Sequence, residues 1–251
     1  MSPTGSPRAI GFDYGRTLVE IGYPREGLAR AGRRLLGILD IPAPAEMKLD
    51  QVAQLVDARV DELVALAHLR DPLHEVEIYS LYQEALQTTL GVEPSSRQVR
   101  QAGDLLQLPW RQAIKVKPDV EPALSALKRS GARLGLLSNA PYQPGLMRAM
   151  LEQQGLSGYF DVILFSSEIG YRKPAVAAFA ALLSELGTKA DETWFVGDEP
   201  EADIEGARAA GLLPLLAPRP VAAEPRIAPG TLALRSWADL VSRWEAASAP
   251  G

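Results

Sequence analysis

The sequence contains no cysteine and only two histidines, His68 and His74, among its 251 residues. Neither a disulfide framework nor a thiolate nucleophile is therefore possible. Two histidines without an HExxH pattern also argue against a histidine-rich zinc site. Positively charged residues are not in excess either, because the chain has 26 Lys and Arg residues but 31 Asp and Glu residues. With no basic stripe along the chain, we expect no nucleic-acid partner.

Long apolar runs are lacking as well. The first residues have no apolar core of the kind found in signal peptides, and no stretch approaches the length of a membrane span. We therefore expect no membrane partner and a cytoplasmic location. What the chain does contain is 47% hydrophobic and 23% charged residues, which is ordinary for a globular protein with a well-filled core.

Short apolar runs alternate with helical patterns along much of the chain. Each run is typical of a strand that is buried on both faces. This alternation predicts an α/β fold with a doubly wound parallel sheet. The predicted strands are 9–12, 134–137, 162–165, 193–196 and 212–217, and the predicted helices among them are 120–130, 144–154, 175–186 and 201–210.

The connection between the first two predicted strands is far longer than one crossover requires. Four segments within it carry apolar residues at spacings of three and four, which indicates helices; they are 28–39, 49–66, 76–90 and 96–106. We interpret residues 20–115 as an inserted, all-helical cap domain. Residues 1–19 and 116–251 then form the core, with the cap over the carboxyl ends of its strands, where ligands bind in open α/β sheets.

Polar side chains stand at or just after the ends of the predicted strands. In a parallel sheet these ends line one crevice. Three carboxylates in one crevice repel each other unless a cation joins them. A lysine, a hydroxyl and a metal beside a carboxylate can bind a phosphoryl group and stabilise its charge. The residues that we expect to converge are Asp13, Ser138, Asn139, Lys173, Asp198 and Asp203.

Four motifs, in this order, resemble those of the haloacid dehalogenase superfamily over nearly the whole chain. The first motif of the family is D-x-D-G-T-L, and residues 13–18 read DYGRTL. The second is a strand that ends in Ser or Thr, and residues 136–139 read LLSN. The third, often G-x-x-K-P, is GYRKP at 170–174, and the fourth, G-D-x4-D, is GDEPEAD at 197–203.

The resemblance implies a hydrolase with a Rossmann-like core, a helical cap and a phosphorylated small molecule as substrate. Asp13 is implied to be the nucleophile and to form an aspartyl-phosphate, a known form of covalent catalysis. Ser138 is implied to donate a hydrogen bond to the phosphoryl group. Lys173 is implied to neutralise the phosphate and to hold Asp13 ionised.

A magnesium site is implied by the same resemblance. Asp13, Asp198 and Asp203, with the backbone carbonyl of Gly15, are its expected ligands, since Mg²⁺ prefers carboxylates and other hard oxygens. Phosphate-binding roles are further expected for Ser138, Asn139, Lys173, Thr17 and Arg16, although Arg16 could equally cover the loop without touching phosphate.

The first motif departs from the family pattern at two positions. The second aspartate of the family, its general acid/base, falls on Gly15, and the usual glycine after it is Arg16. A positioned acid/base contributes about 10²- to 10⁴-fold, so we expect slow turnover of alkyl phosphates. Glu20 could substitute for the missing acid, or it could be a hinge or surface residue.

Three alternatives to a phosphatase stay open. Dehalogenases of the family also lack the second aspartate and need no magnesium, although Asp198 and Asp203 look like an intact metal motif here. Phosphonate cleavage would need a cap lysine as a Schiff base, and Lys48 is the candidate, unless it is a solvated charge at a helix start. The third alternative is a non-catalytic protein that kept a phosphate pocket.

Overall fold

The computed structural model describes residues 6–43, 48–218 and 231–249. Their contacts divide the chain into two compact units. The first unit comprises Met1–Glu20, Leu73–Glu75 and Val116–Gly251, and the second comprises Ile21–Pro72 and Val76–Lys115. The domain boundaries expected from the sequence, at residues 19/20 and 115/116, stay a prediction.

A six-stranded parallel sheet forms the centre of the first unit, in the order β5-β4-β1-β6-β7-β8. The α/β fold with a doubly wound parallel sheet is thereby confirmed. A separate two-stranded sheet pairs β2 with β3. The strands are β1 Ala9–Phe12, β2 Val19–Ile21, β3 Ile114–Val116, β4 Arg133–Ser138, β5 Val162–Phe165, β6 Thr193–Gly197, β7 Leu213–Leu216 and β8 Leu232–Ala233.

Strand β1 lies at the centre of this sheet and every one of its residues is buried. It is bonded to β4 on one side and β6 on the other, with Phe12 opposite both Leu136 and Val196. Gly11 lets a helix approach closely, because a Cβ at this position would lie 2.7 Å from the side chain of Leu182. The strand order places the ends of β4, β1 and β6 side by side, where α/β sheets bind ligands.

Among its described residues the second unit has four helices: α1 Arg25–Leu39, α2 Leu49–Arg70, α3 Ile78–Leu90 and α4 Ser96–Ala113. Helix α4 begins with a capping box, in which Ser95 and Gln98 satisfy each other's backbone N–H groups. It runs beyond the predicted end at 106 and through Pro109, a residue that normally interrupts a helix. Pro109 packs where Gly27 has no side chain, since a Cβ there would lie 2.7 Å from it.

The helices of the first unit largely follow the predicted pattern: α5 Val120–Arg129, α6 Pro144–Gln153, α7 Ser166–Ile169, α8 Val176–Leu186, α9 Gly206–Ala209 and α10 Trp237–Ser248. The predicted helix at 201–210 is present, but its first half is not a regular α-helix. Residues Pro200–Glu205 form a π-helix, in which the N–H of Ile204 bonds to the carbonyl of Glu199, five residues back. Among the helices of the described residues, none is long and apolar enough to cross a membrane.

Candidate active site

Asp13 is the first residue after β1, and its backbone continues the sheet. Its N–H donates to the carbonyl of Val196 at 2.9 Å, so its side chain starts from the carboxyl end of the central strand. Ser138, the last residue of β4, and Asp198, which follows β6, end the two neighbouring strands and are also buried. The polar strand ends therefore lie next to one another.

Lys173 is a buried cation between two carboxylates. Its Nζ lies 2.7 Å from Oδ1 of Asp13 and 2.6 Å from Oδ1 of Asp203, and only 2% of the residue is exposed. Burial alone would lower the pKa of Lys173, but Asp13 and Asp203 raise it above its ordinary value. The lysine is therefore held in its charged form, as a fixed counter-ion.

Asn139 fixes the backbone of Lys173. Its Oδ1 accepts from the backbone N–H of Lys173 at 2.8 Å, and its Nδ2 donates to the carbonyl of the same residue at 2.9 Å. Both polar ends of the amide are thus engaged with Lys173. The phosphate-binding role expected for Asn139 stays a prediction, while its contacts are those of a positioning residue.

Asp203 is held from three sides. Oδ1 accepts from Lys173 and Oδ2 accepts from the backbone N–H of Glu199 at 2.8 Å, and 1% of the residue is exposed. The side chain also lies directly over Gly197, where a Cβ would come closer than 3.0 Å to its Cβ, Cγ and Oδ2 atoms. Only glycine at this position leaves room for the carboxylate.

Asp13, Asp198 and Asp203 each offer one oxygen atom, and these atoms lie within 4.8 Å of one another. Burial raises the pKa of Asp13; Lys173 opposes this shift, while the two other aspartates add to it. A divalent cation would relieve the repulsion among the carboxylates. A donor set made only of oxygen atoms fits Mg²⁺ rather than a softer metal. Gly15 is half-buried and forms a β-bridge with Val19.

The two residues after Gly15 both contact Asp198. Oγ1 of Thr17 donates to Oδ1 of Asp198 at 3.3 Å. Nε of Arg16 lies 3.3 Å from Oδ2 of the same aspartate, and the guanidinium also bonds to the carboxylate of Glu199. Partial burial would lower the pKa of Arg16, but the surrounding carboxylates, Asp198 first, raise it. The phosphate-binding roles expected for Thr17 and Arg16 stay predictions.

A family model for haloacid dehalogenase-like hydrolases matches residues 59–211. The chain belongs to this family. The matched range contains the second, third and fourth motifs and confirms the resemblance to the family, and the protein is therefore a hydrolase.

This hydrolase is also similar to individual phosphatases in sequence and to a dehalogenase in fold. It is 33% identical over 136 residues to a ribulose-1,5-bisphosphate 5-phosphatase from Halopiger xanaduensis, which covers 54% of this chain and 56% of that protein. The chain thus spans little more than half the length of that relative. A phosphoglycolate phosphatase from Yersinia pestis is 30% identical over 205 residues, covering 81% of this chain and 78% of its own. A 2-haloacid dehalogenase from Pseudomonas syringae pv. Tomato DC3000 shares the fold, with a TM-score of 0.66, 22% identity, and coverage of 95% of this chain and 99% of that one.

The hydrolase also has site contacts that the motifs did not indicate. Ser166, directly after β5, accepts from the backbone N–H of Ala140 at 2.7 Å and donates to Oε2 of Glu75 at 2.5 Å. Ser166 could have been identified from the sequence, because it is a polar residue directly after the predicted strand 162–165. Nothing in the sequence points to Glu75, which belongs to Leu73–Glu75, a segment far away along the chain.

Leu73–Glu75 pairs with the loop that carries Lys173. The N–H of Glu75 donates to the carbonyl of Gly170 at 3.0 Å, and the N–H of Arg172 donates to the carbonyl of Leu73 at 2.9 Å. These two bonds explain why this short segment groups with the first unit.

Two residues singled out in the sequence are exposed. Glu20 lies in β2, where Val19 is buried and Glu20 faces outwards. Lys48 precedes α2 and is exposed at the helix start, as expected for a solvated charge. The acid/base role of Glu20 stays a prediction.

Proposed function

We propose that this hydrolase is a Mg²⁺-dependent phosphatase that acts on a small phosphorylated metabolite through an aspartyl-phosphate at Asp13. The observation that carries the proposal is the buried lysine that bonds to Asp13 and Asp203, beside the three clustered aspartates. The phosphatases among its relatives support the same reaction class.

In the first step, a carboxylate oxygen of Asp13 attacks phosphorus while the bond from phosphorus to the leaving oxygen breaks. The electron pair of that bond goes to the leaving oxygen, which takes up a proton. Lys173 offsets the charge on the phosphoryl oxygens, since it is already oriented and desolvated before the substrate arrives. In the second step, water hydrolyses the aspartyl-phosphate and releases inorganic phosphate.

Asp13 and Asp198, with the carbonyl of Gly15, would hold the ion, and Asp203 would support them through its bonds to Lys173 and Glu199. When bound, Mg²⁺ supplies positive charge next to the phosphoryl oxygens. Around it, this chain's own residues fix the site: Thr17 orients Asp198 by donating to Oδ1.

The absence of an acid at Gly15 defines the substrate preference that we propose. Alkoxide leaving groups need a proton as they depart, whereas aryl and acyl phosphates leave as stable anions. We therefore propose that aryl and acyl phosphates turn over best, with alkyl phosphates about 10²- to 10⁴-fold slower.

The test is a screen of phosphate esters with and without Mg²⁺, using Asp13→Asn as the decisive variant. Loss of hydrolysis and of a trapped phosphoenzyme in this variant is the expected result. Asp191→Asn is the matched control, because Asp191 is exposed and precedes β6 at the end opposite Asp198. Undiminished turnover in Asp13→Asn would overturn the proposal.

One observation favours a second candidate, carbon–halogen hydrolysis without metal. Arg16 and Lys173 give each carboxylate of the cluster a cationic partner from the chain itself. Halide release from a 2-haloacid in excess chelator, lost in Asp13→Asn, would establish this activity in place of phosphatase chemistry. The absence of both turnover and a phosphoenzyme with every substrate would favour a non-catalytic phosphate binder over both candidates.

A further inference from the structure

Arg16 occupies a position that disfavours any residue with a side chain. Its φ of 58° lies in the left-handed region, which glycine adopts readily and L-residues adopt with strain. Three contacts hold it there. The backbone carbonyl of Arg16 accepts from Nζ of Lys117, and its guanidinium bonds to Asp198 and Glu199. A side chain held in this backbone conformation is a candidate for a specific task.

The guanidinium lies at the carboxylate that the proposed metal site needs. Oδ1 of Asp198 already accepts from Thr17, and Oδ2 faces Nε of Arg16 at 3.3 Å. The ammonium group of Lys173 bonds instead to Asp13 and Asp203. Arg16 thus places a cationic side chain against Asp198, at the edge of the cluster, with 62% of its side chain exposed.

We propose that Arg16 competes with the divalent cation for Asp198 and so sets a low affinity for Mg²⁺. Two cations cannot share one carboxylate oxygen without strong repulsion at this distance. Binding of the ion therefore requires the guanidinium to leave Oδ2, and Glu199, to which it already bonds, remains its partner. This inference rests on the proposed metal site and adds the residue that tunes it.

The test is the affinity for Mg²⁺, measured by calorimetry on the full chain without substrate. Arg16→Gly removes the side chain and suits the left-handed backbone, and Arg16→Asn keeps a polar side chain that tolerates this conformation. Both should bind Mg²⁺ about tenfold more tightly than the unmodified protein, the effect of one partly exposed charged partner. Arg16→Lys, which keeps the charge, should bind nearly as weakly as the unmodified protein.

The controls separate this effect from a general change in charge and from folding. Arg8→Asn removes an exposed arginine at the opposite end of β1 and should leave the affinity unchanged. Adding Asp198→Asn to Arg16→Gly should abolish the gain, since the competition is for that carboxylate. Thermal unfolding of each variant identifies any that fails to fold, and Arg16→Asn then replaces Arg16→Gly.

Equal affinity in Arg16→Gly, Arg16→Asn and the unmodified protein would overturn this inference and leave the proposed phosphatase intact. No measurable binding in either variant would overturn the inference together with the proposed metal site. A gain that persists with Asp198→Asn would also overturn it, because the ion would then bind elsewhere.

Discussion

The substitution Gly197→Ala tests how closely the active site depends on one missing methyl group. A Cβ at this position would lie closer than 3.0 Å to three side-chain atoms of Asp203, so the carboxylate must move by roughly 1 Å to reach ordinary contact. The move takes it away from Nζ of Lys173 and from the N–H of Glu199, now at 2.6 and 2.8 Å.

The expected cost follows from those two bonds. Each hydrogen bond to a charged group contributes about 1.5–3 kcal/mol, and weakening both should lower the free energy of unfolding by about 3 kcal/mol. For a protein of this size, that is a fall in Tm of roughly 6–12 °C. Turnover should fall as well, because Lys173 loses the partner that orients it toward Asp13.

Thermal and urea unfolding measure the change, with Gly37→Ala as the matched control. Gly37 lies within α1, and a Cβ there meets nothing within 4 Å, so this variant should gain about 0.5–1 kcal/mol from helix propensity. In an Asp203→Gly background, Gly197→Ala should cost under about 1 kcal/mol, because all three overlapping atoms of Asp203 are gone. An unchanged Tm and turnover in Gly197→Ala, or the same cost in both backgrounds, would refute the reasoning.

Two further predictions concern a positioning residue and a buried acid. Asn139→Ala removes both bonds to the backbone of Lys173 and should lower kcat about tenfold with little change in KM, measured by steady-state kinetics; a change in KM alone would contradict it. Burial raises the pKa of Asp57 to about 7, while the hydrogen bond from Trp110 opposes this shift. Between about pH 4 and pH 7 the folded state therefore holds a proton that the unfolded state has lost. The free energy of unfolding should fall as the pH rises through this range. Asp57→Asn should remove this dependence and raise the Tm at pH 8; equal pH profiles of Tm for the two proteins would contradict it.

Local patterns determined much of the fold. Apolar runs predicted the positions of β1, β4, β5, β6 and β7, because a strand buried on both faces must be apolar throughout. Helix ends were also readable, since Gly131, Gly155, Gly187 and Gly211 all have positive φ just past a helix. The ends of the apolar runs likewise identified Asp13 and Asp198 as strand-end residues.

Local patterns did not predict how the chain departs from regular helices. Helix α4 continues through Pro109, whose ring packs against Gly27 of another helix. Pro200–Glu205 is a π-helix, in which the side chain of Asp203 bonds to Lys173 and lies over Gly197. At both places the irregular helix packs against residues from other elements, which local patterns do not contain.

Tertiary structure alone decided which charges meet. The motifs predicted that Lys173 and three aspartates belong to one site, but the partners of each followed only from the folded structure. There Asp13 and Asp203 bond to the lysine, and Asp198 pairs with Arg16. A sequence motif specifies which groups stand at a strand end; pairing between groups far apart in the chain depends on the distances that the folded sheet creates, and an ion pair is set by distance.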